Sequence, residues 1–68
     1  MTKKQMELIL LLLDFRKSDV LFWCNPQRTA SVYWSGSRGV VRFLNTKEER
    51  AWISIDSADL LIQEISLL

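Results

Sequence analysis

The sequence contains no histidine and a single cysteine, Cys24. Histidine is the commonest general base and metal ligand, so its absence removes the usual partner of a catalytic nucleophile or of a zinc ion. A lone cysteine excludes a disulfide within the chain and a zinc site built from cysteines. A free cysteine with no base beside it is typically a small buried apolar residue. We therefore predict a protein that is not an enzyme and that uses no metal and no cofactor.

Long hydrophobic runs are also missing. The longest apolar run covers residues 8–13, whereas a membrane-spanning helix needs about 20 apolar residues. Lys3 and Lys4 before this run faintly resemble a secretion signal, but charged residues cut the run short and no small-residue cleavage site follows. We predict a cytoplasmic protein that does not enter the membrane and keeps Cys24 reduced.

The chain is short, with 68 residues of which 49% are hydrophobic and 25% charged. This composition is typical of a folded protein, and the length predicts one small domain over residues 1–68. A domain of about 60 residues buries only about 60% of the surface of its unfolded chain. Small domains often make up this shortfall by oligomerisation, so the sequence favours a homo-oligomer or a protein partner.

The first segment predicts a helix over residues 3–17. Thr2 and Gln5 have the spacing of a capping box, and a leucine-rich series follows. Its apolar residues would cover well over half of the helix, which is typical of a helix buried on more than one side. This pattern again favours a dimer. The alternative is a strand over residues 6–15, because short apolar runs are ambiguous.

Strand-forming residues occur in the segments 20–24, 31–35, 40–44 and 51–55. Two glycines separate the second segment from the third, which indicates a β-hairpin. Thr46-x-x-Glu49 is a second capping box, so a short helix over residues 47–54 remains an alternative to the last strand.

The C-terminal segment predicts a helix over residues 58–67, capped by Asp56 or Ser57. The fold class predicted from the whole chain is therefore α+β. It is a small antiparallel β-meander of three to four strands with an N-terminal and a C-terminal helix.

Alternation along the hairpin predicts its two faces. If Ser35 pairs with Val40, one face is wholly apolar, and Tyr33 lies opposite Arg42 on the other. The same rule applies to Phe22 and Trp23, which cannot both face one core. The apolar face would carry Val32, Trp34, Val41 and Phe43.

The net charge of +1 conceals an uneven distribution of charge along the chain. Residues 20–44 contain Arg28, Arg38 and Arg42 and no acidic residue, whereas residues 45–68 are predominantly acidic. Arginine pairs with carboxylate or phosphate and stacks on aromatic rings, and these arginines are interspersed with aromatic residues. The acid-free segment is thus the candidate binding region of the chain.

Two functional hypotheses follow from these residues. In the first, the protein is a small regulatory module that binds protein and self-associates; the first helix and either Trp23 or Trp52 supply the apolar contact. Arg28, Arg38 and Arg42 would orient an acidic partner surface. In the alternative, the protein binds nucleic acid through Arg38 at the hairpin tip together with Arg42 and Tyr33. Three arginines fall short of the strongly basic patch typical of a nucleic-acid module.

Overall fold

The computed structural model describes residues 1–36, 39–48 and 51–68. Within these ranges the chain forms two helices and a five-stranded antiparallel sheet in the order β1-β2-β3-β4-β5. The predicted α+β class is confirmed, and the sheet has more than the predicted three to four strands. The elements are α1 (Lys3–Leu12), β1 (Arg16–Asp19), β2 (Phe22–Cys24), β3 (Ala30–Trp34), β4 (Val41–Asn45), a 3-10 turn (Thr46–Glu48), β5 (Ile53–Ile55) and α2 (Ala58–Ser66).

Helix α1 begins as the sequence predicts. The hydroxyl of Thr2 accepts the backbone N–H of Gln5 at 3.1 Å, and the side-chain oxygen of Gln5 accepts the N–H of Thr2 at 3.0 Å. This reciprocal capping box satisfies two donors that the first turn would leave unpaired. The alternative of a strand over residues 6–15 is wrong.

The predicted end of α1 at residue 17 is also wrong, because the helix stops at Leu12. Asp14 has a left-handed backbone with φ of 71°, and its N–H bonds to the carbonyl of Leu11 at 3.2 Å. The N–H of Phe15 bonds to the carbonyl of Leu10 at 2.7 Å, and both of these side chains are buried. This pair of bonds and the apolar contact are those of a Schellman motif, which usually has glycine at the left-handed position.

Strand β1 is the element that the sequence analysis missed. Arg16 and Lys17, expected in the last helical turn, instead pair with β2 at the edge of the sheet. The pairing register shifts between Lys17 and Asp19, which marks a β-bulge. The two cationic side chains therefore lie on the sheet edge rather than at the end of a helix, where they were predicted.

The central hairpin has the predicted register, and its segments 31–35 and 40–44 become β3 and β4 with ends shifted by one residue. Ser35 and Val40 are joined by a backbone hydrogen bond of 3.4 Å just beyond the strand ends. Alternation therefore places the predicted apolar face inward. The pairs are Val32 with Phe43, Trp34 with Val41, and Tyr33 with Arg42.

The last two segments settle the remaining alternatives. The short helix over residues 47–54 is wrong: a 3-10 turn ends at Glu48 and β5 covers Ile53–Ile55. Ser57 is the N-cap of α2, and its hydroxyl accepts the N–H of Leu60 at 3.2 Å. Helix α2 ends at Ser66, one residue before the predicted end.

The two helices contact each other and cover one face of the sheet. Their buried residues join the inward side chains of the strands in one core, and the opposite sheet face stays uncovered by described residues. No helix in the described ranges has the length and hydrophobicity needed to cross a membrane. The core contains Met6, Leu10, Phe15, Trp23, Ala30, Val32, Val41, Phe43, Ile55, Leu61 and Ile65.

Candidate binding surfaces

The uncovered sheet face holds an open groove of about 420 Å³ that is rich in aromatic side chains. We call it the aromatic groove. It forms because β2, β3 and β4 direct alternate residues away from the helices. Its lining residues are Phe22, Tyr33, Ser35, Arg42 and Trp52.

The rings in this groove contact one another but keep part of their surface free. Phe22 stacks on Tyr33 with ring centroids 4.8 Å apart and an angle of 29°. Trp52 lies edge-on to Phe22 at 6.5 Å and 73°. Phe22 is 38% exposed and Trp52 is 37% exposed. These large rings are therefore positioned by mutual contact and remain accessible to a ligand.

The charge in the aromatic groove is positive. Arg42 is exposed, and no carboxylate in the described part of the chain lies within ion-pair distance of it. Asp19 lies opposite Phe22 on the edge strand, but its carboxylate accepts the N–H of Val20 in its own turn at 2.7 Å. The groove can thus offer a guanidinium to an anionic group and ring faces to a planar one.

A second open groove of about 400 Å³ lies at the other end of β2. We call it the basic groove. Phe22 of the aromatic groove and Cys24 of the basic groove are two residues apart on one strand, so their side chains share a sheet face about 7 Å apart. The basic groove is lined by Arg16, Lys17, Ser18, Cys24, Asn25, Pro26 and Arg28.

Buried Asn25 builds the turn that presents Arg28. Its side-chain oxygen accepts the N–H groups of Thr29 at 2.9 Å and Ala30 at 3.0 Å, and its amide donates to the Thr29 hydroxyl at 2.7 Å. Arg28 has a left-handed backbone with φ of 56°, and its side chain is exposed. The turn therefore holds the guanidinium of Arg28 outward at the cost of a backbone conformation that glycine adopts more easily.

Three guanidinium groups flank the uncovered face, because Arg16 joins Arg28 and Arg42. Arg16 forms an ion pair with Asp14 at 3.3 Å, and both side chains are well over half exposed. Nη1 of Arg16 also donates a hydrogen bond to the carbonyl of Phe15 at 3.0 Å. Exposed ion pairs contribute roughly 0–1 kcal/mol, so a stronger anion can displace Asp14 from the rest of the guanidinium. Lys17 differs, since its ammonium lies 5.9 Å from the ring centroid of the core residue Trp23.

The helical layer carries an apolar surface on the opposite side of the protein. Leu8 and Leu11 are each 61% exposed, and Leu12 is 84% exposed. A shallow cleft between α1 and α2 continues this surface to Ile62, which is 41% exposed. We call Leu8, Leu11, Leu12 and Ile62 the leucine face.

The structure brings together only some of the residues proposed from the sequence. Tyr33, Arg42 and Trp52 meet in the aromatic groove, and Arg28 lies in the basic groove. Trp23, offered as an alternative to Trp52 for an apolar contact, is 4% exposed and belongs to the core, because its position in β2 faces the helices. Arg38 lies outside the described residues.

Phe22 and Arg16, which carry the argument for the grooves, were not among the proposed site residues. Phe22 faces outward and its neighbour Trp23 faces the core. Alternation predicts that the two residues face opposite ways, but it does not say which of them faces out. Arg16 was assigned to the helix, so its place on the sheet could not be found. In the described part of the chain no cluster of residues is suited to hold a metal ion, and Cys24 is a free, partly buried thiol.

Comparison of the chain with protein families, with curated proteins and with solved structures finds no match.

Proposed function

We propose that the protein is a small regulatory module that acts by binding rather than by catalysis and pairs with a second copy of itself through the leucine face. The observation that carries the proposal is the row of three leucines on α1 that are 61–84% exposed. Exposed leucines that adjoin one another, rather than lying singly, are typical of an interaction surface.

The energetics favour a second copy as the occupant. Burying one of these side chains stabilises a complex by roughly 1–2 kcal/mol. Four from each copy would contribute roughly 8–16 kcal/mol, against an association cost of about 4–15 kcal/mol. A net gain of about 8 kcal/mol, which lies within these ranges, corresponds to a micromolar dimer. A domain this short also gains more than a larger one from added burial.

The charges at the two ends of α1 suit an antiparallel pair of helices. Lys4 lies exposed in the first turn, and Asp14 lies exposed just beyond the last turn. In a two-fold arrangement, Lys4 of one copy approaches Asp14 of the other, while Leu8 and Leu12 meet near the axis. A two-fold contact of this kind is the commonest interface of homo-oligomers.

A cytoplasmic location is part of the same proposal. The unpaired thiol of Cys24 supports it, because free cysteines persist in a reducing compartment.

Sedimentation velocity at micromolar concentration tests the dimer. We expect the native chain to sediment as a dimer in both low and high salt, because the contact is apolar. The double change Leu8→Gln, Leu12→Gln should give a folded monomer, since glutamine keeps the helix propensity of leucine.

The matched control is Leu60→Gln, Leu67→Gln. These leucines are also exposed, and helical spacing places them on the side of α2 away from Ile62. The control should remain dimeric. A native chain that is monomeric throughout, or a control that dissociates as readily as the Leu8 and Leu12 variant, would contradict the proposal.

A further inference from the structure

We infer that the uncovered sheet face binds a single-stranded polynucleotide, with its bases on the rings of the aromatic groove and its phosphates on the surrounding arginines. This site is separate from the leucine face and does not depend on the proposed dimer. The inference rests on the geometry of the two grooves, which share strand β2.

The first step of the argument is the accessibility of the rings. Phe22 and Trp52 each keep more than a third of their surface exposed. Tyr33, on the intervening strand β3, is partly buried. Stacking of an unpaired base on such a ring uses the flat face that every base has. Bases in a duplex are already stacked on each other, so the groove favours a single strand.

The second step is the placement of charge beside the rings. Arg42 lines the aromatic groove, Arg16 lies opposite Cys24 on the strand pair that continues the same sheet face, and Arg28 lines the basic groove with Arg16. No carboxylate is among the lining residues of either groove in the described part of the chain. A row of guanidinium groups next to stacking rings is the combination that tracks a phosphate backbone.

The third step is the backbone of Arg28. The hydrogen bonds of Asn25 hold Arg28 in its left-handed conformation, and a glycine at position 28 would adopt this conformation with less strain. The side chain forms no ion pair with any described residue. A strained, exposed residue whose side chain makes no described ion pair is a candidate for a role beyond folding, so the test is built on Arg28.

The experiment measures fluorescence anisotropy of a labelled strand of twelve thymidines, and of a matching strand of uridines, at several salt concentrations. We expect binding of at least one strand, weakening steeply with salt. Binding of either strand supports the inference, and the strand that binds more tightly shows whether the site prefers the DNA or the RNA strand. A duplex of equal length should bind at least tenfold more weakly.

Two variants separate phosphate contact from stacking. Arg28→Gly should weaken binding several-fold and reduce the salt slope by about 0.7, the contribution of one phosphate contact. The same variant should melt at a temperature equal to or above that of the native chain, so that its loss of binding is not a loss of folding.

Trp52→Ala should weaken binding by roughly 5- to 100-fold and leave the salt slope unchanged, because stacking releases no counterions. Trp52→Phe should retain most of the affinity, because it keeps an aromatic ring in the groove. If the alanine variant does not fold, the phenylalanine variant is measured in its place. Leu67→Gln, at the C-cap of α2, is the control that should bind as the native chain does.

Several results would overturn the inference. They are no binding of either strand at low salt, equal binding of the duplex, and unchanged affinity in both Arg28→Gly and Trp52→Ala. Displacement of the strand by an equal concentration of an acidic peptide would also overturn it, because the grooves would then be a site for protein.

Discussion

The side chain of Asn25 holds Ala30 across the turn between β2 and β3, its oxygen accepting the N–H of Ala30 at 3.0 Å. Asn25 is 8% exposed, and its side chain makes two further hydrogen bonds, both to Thr29. A buried amide with this many partners acts in place of the regular backbone bonds that a turn lacks.

Replacing Asn25 with alanine should therefore destabilise the protein by about 2–3 kcal/mol, because two backbone donors lose their acceptor in a buried place. Urea unfolding measures the loss. Gln27→Ala, an exposed change in the same turn, is the control and should stay within about 0.5 kcal/mol of the native chain. Equal stability of the two variants would show that the turn does not depend on Asn25.

A glycine in place of Asp14 should be more stable than an alanine there. The left-handed φ of 71° strains any residue with a Cβ, and both changes remove the weak ion pair with Arg16. We expect Asp14→Gly to exceed Asp14→Ala by about 1–2 kcal/mol, a difference of several degrees in the melting temperature. Indistinguishable melting curves would contradict the Schellman ending of α1.

Gly39 should tolerate alanine less well than Gly36. Both have positive φ, of 67° and 83°, but a Cβ at Gly39 would meet the backbone of Met1, whereas nothing lies within 4 Å of one at Gly36. Gly36→Ala should cost about 1–2 kcal/mol from strain alone. Gly39→Ala should cost at least 1 kcal/mol more, since backbone atoms must move as in an overpacked core. Chemical denaturation of the two variants compares them directly.

The adjacent rings of Phe22 and Trp23 should respond oppositely to truncation. Trp23 is 4% exposed in the core, so Trp23→Ala should cost about 3–5 kcal/mol and leave little folded protein. Phe22 lies in the aromatic groove and is 38% exposed, so Phe22→Ala should cost only about 1 kcal/mol. Circular dichroism melts measure both; a greater loss from Phe22→Ala would reverse the assignment of the two sheet faces.

Local patterns sufficed to predict most of the elements. The capping box at Thr2, the hairpin register set by Ser35 and Val40, and the start of α2 depend on residues close in sequence. Alternation then assigned the inward face of β3 and β4 correctly.

The end of α1 could not be predicted in this way. Its Schellman motif has aspartate where glycine is usual, so the sequence carries no stop signal at Asp14. The strand that follows, β1, is polar, with residues Arg16–Asp19 all exposed. A strand without apolar alternation is recognised only through its pairing with β2, which is a tertiary contact.

The candidate site was predicted in part for the same reason. Tyr33 and Arg42 were placed together because they pair directly across the hairpin. Trp52 reaches Phe22 over the width of two intervening strands, a contact that depends on strand order. Arg16 could be assigned to the uncovered sheet face only from the pairing of β1 with β2.

The bulge in β1 has a consequence for how copies of the protein meet. A strand edge of regular spacing invites addition of another strand, and repeated addition produces fibres. The shift between Lys17 and Asp19 breaks that spacing, and the short strand β1 has an exposed lysine, Lys17, a residue common on edges that resist strand addition. Strand addition along this edge is thereby disfavoured, and the association through α1 that we propose would then give a discrete particle rather than a polymer.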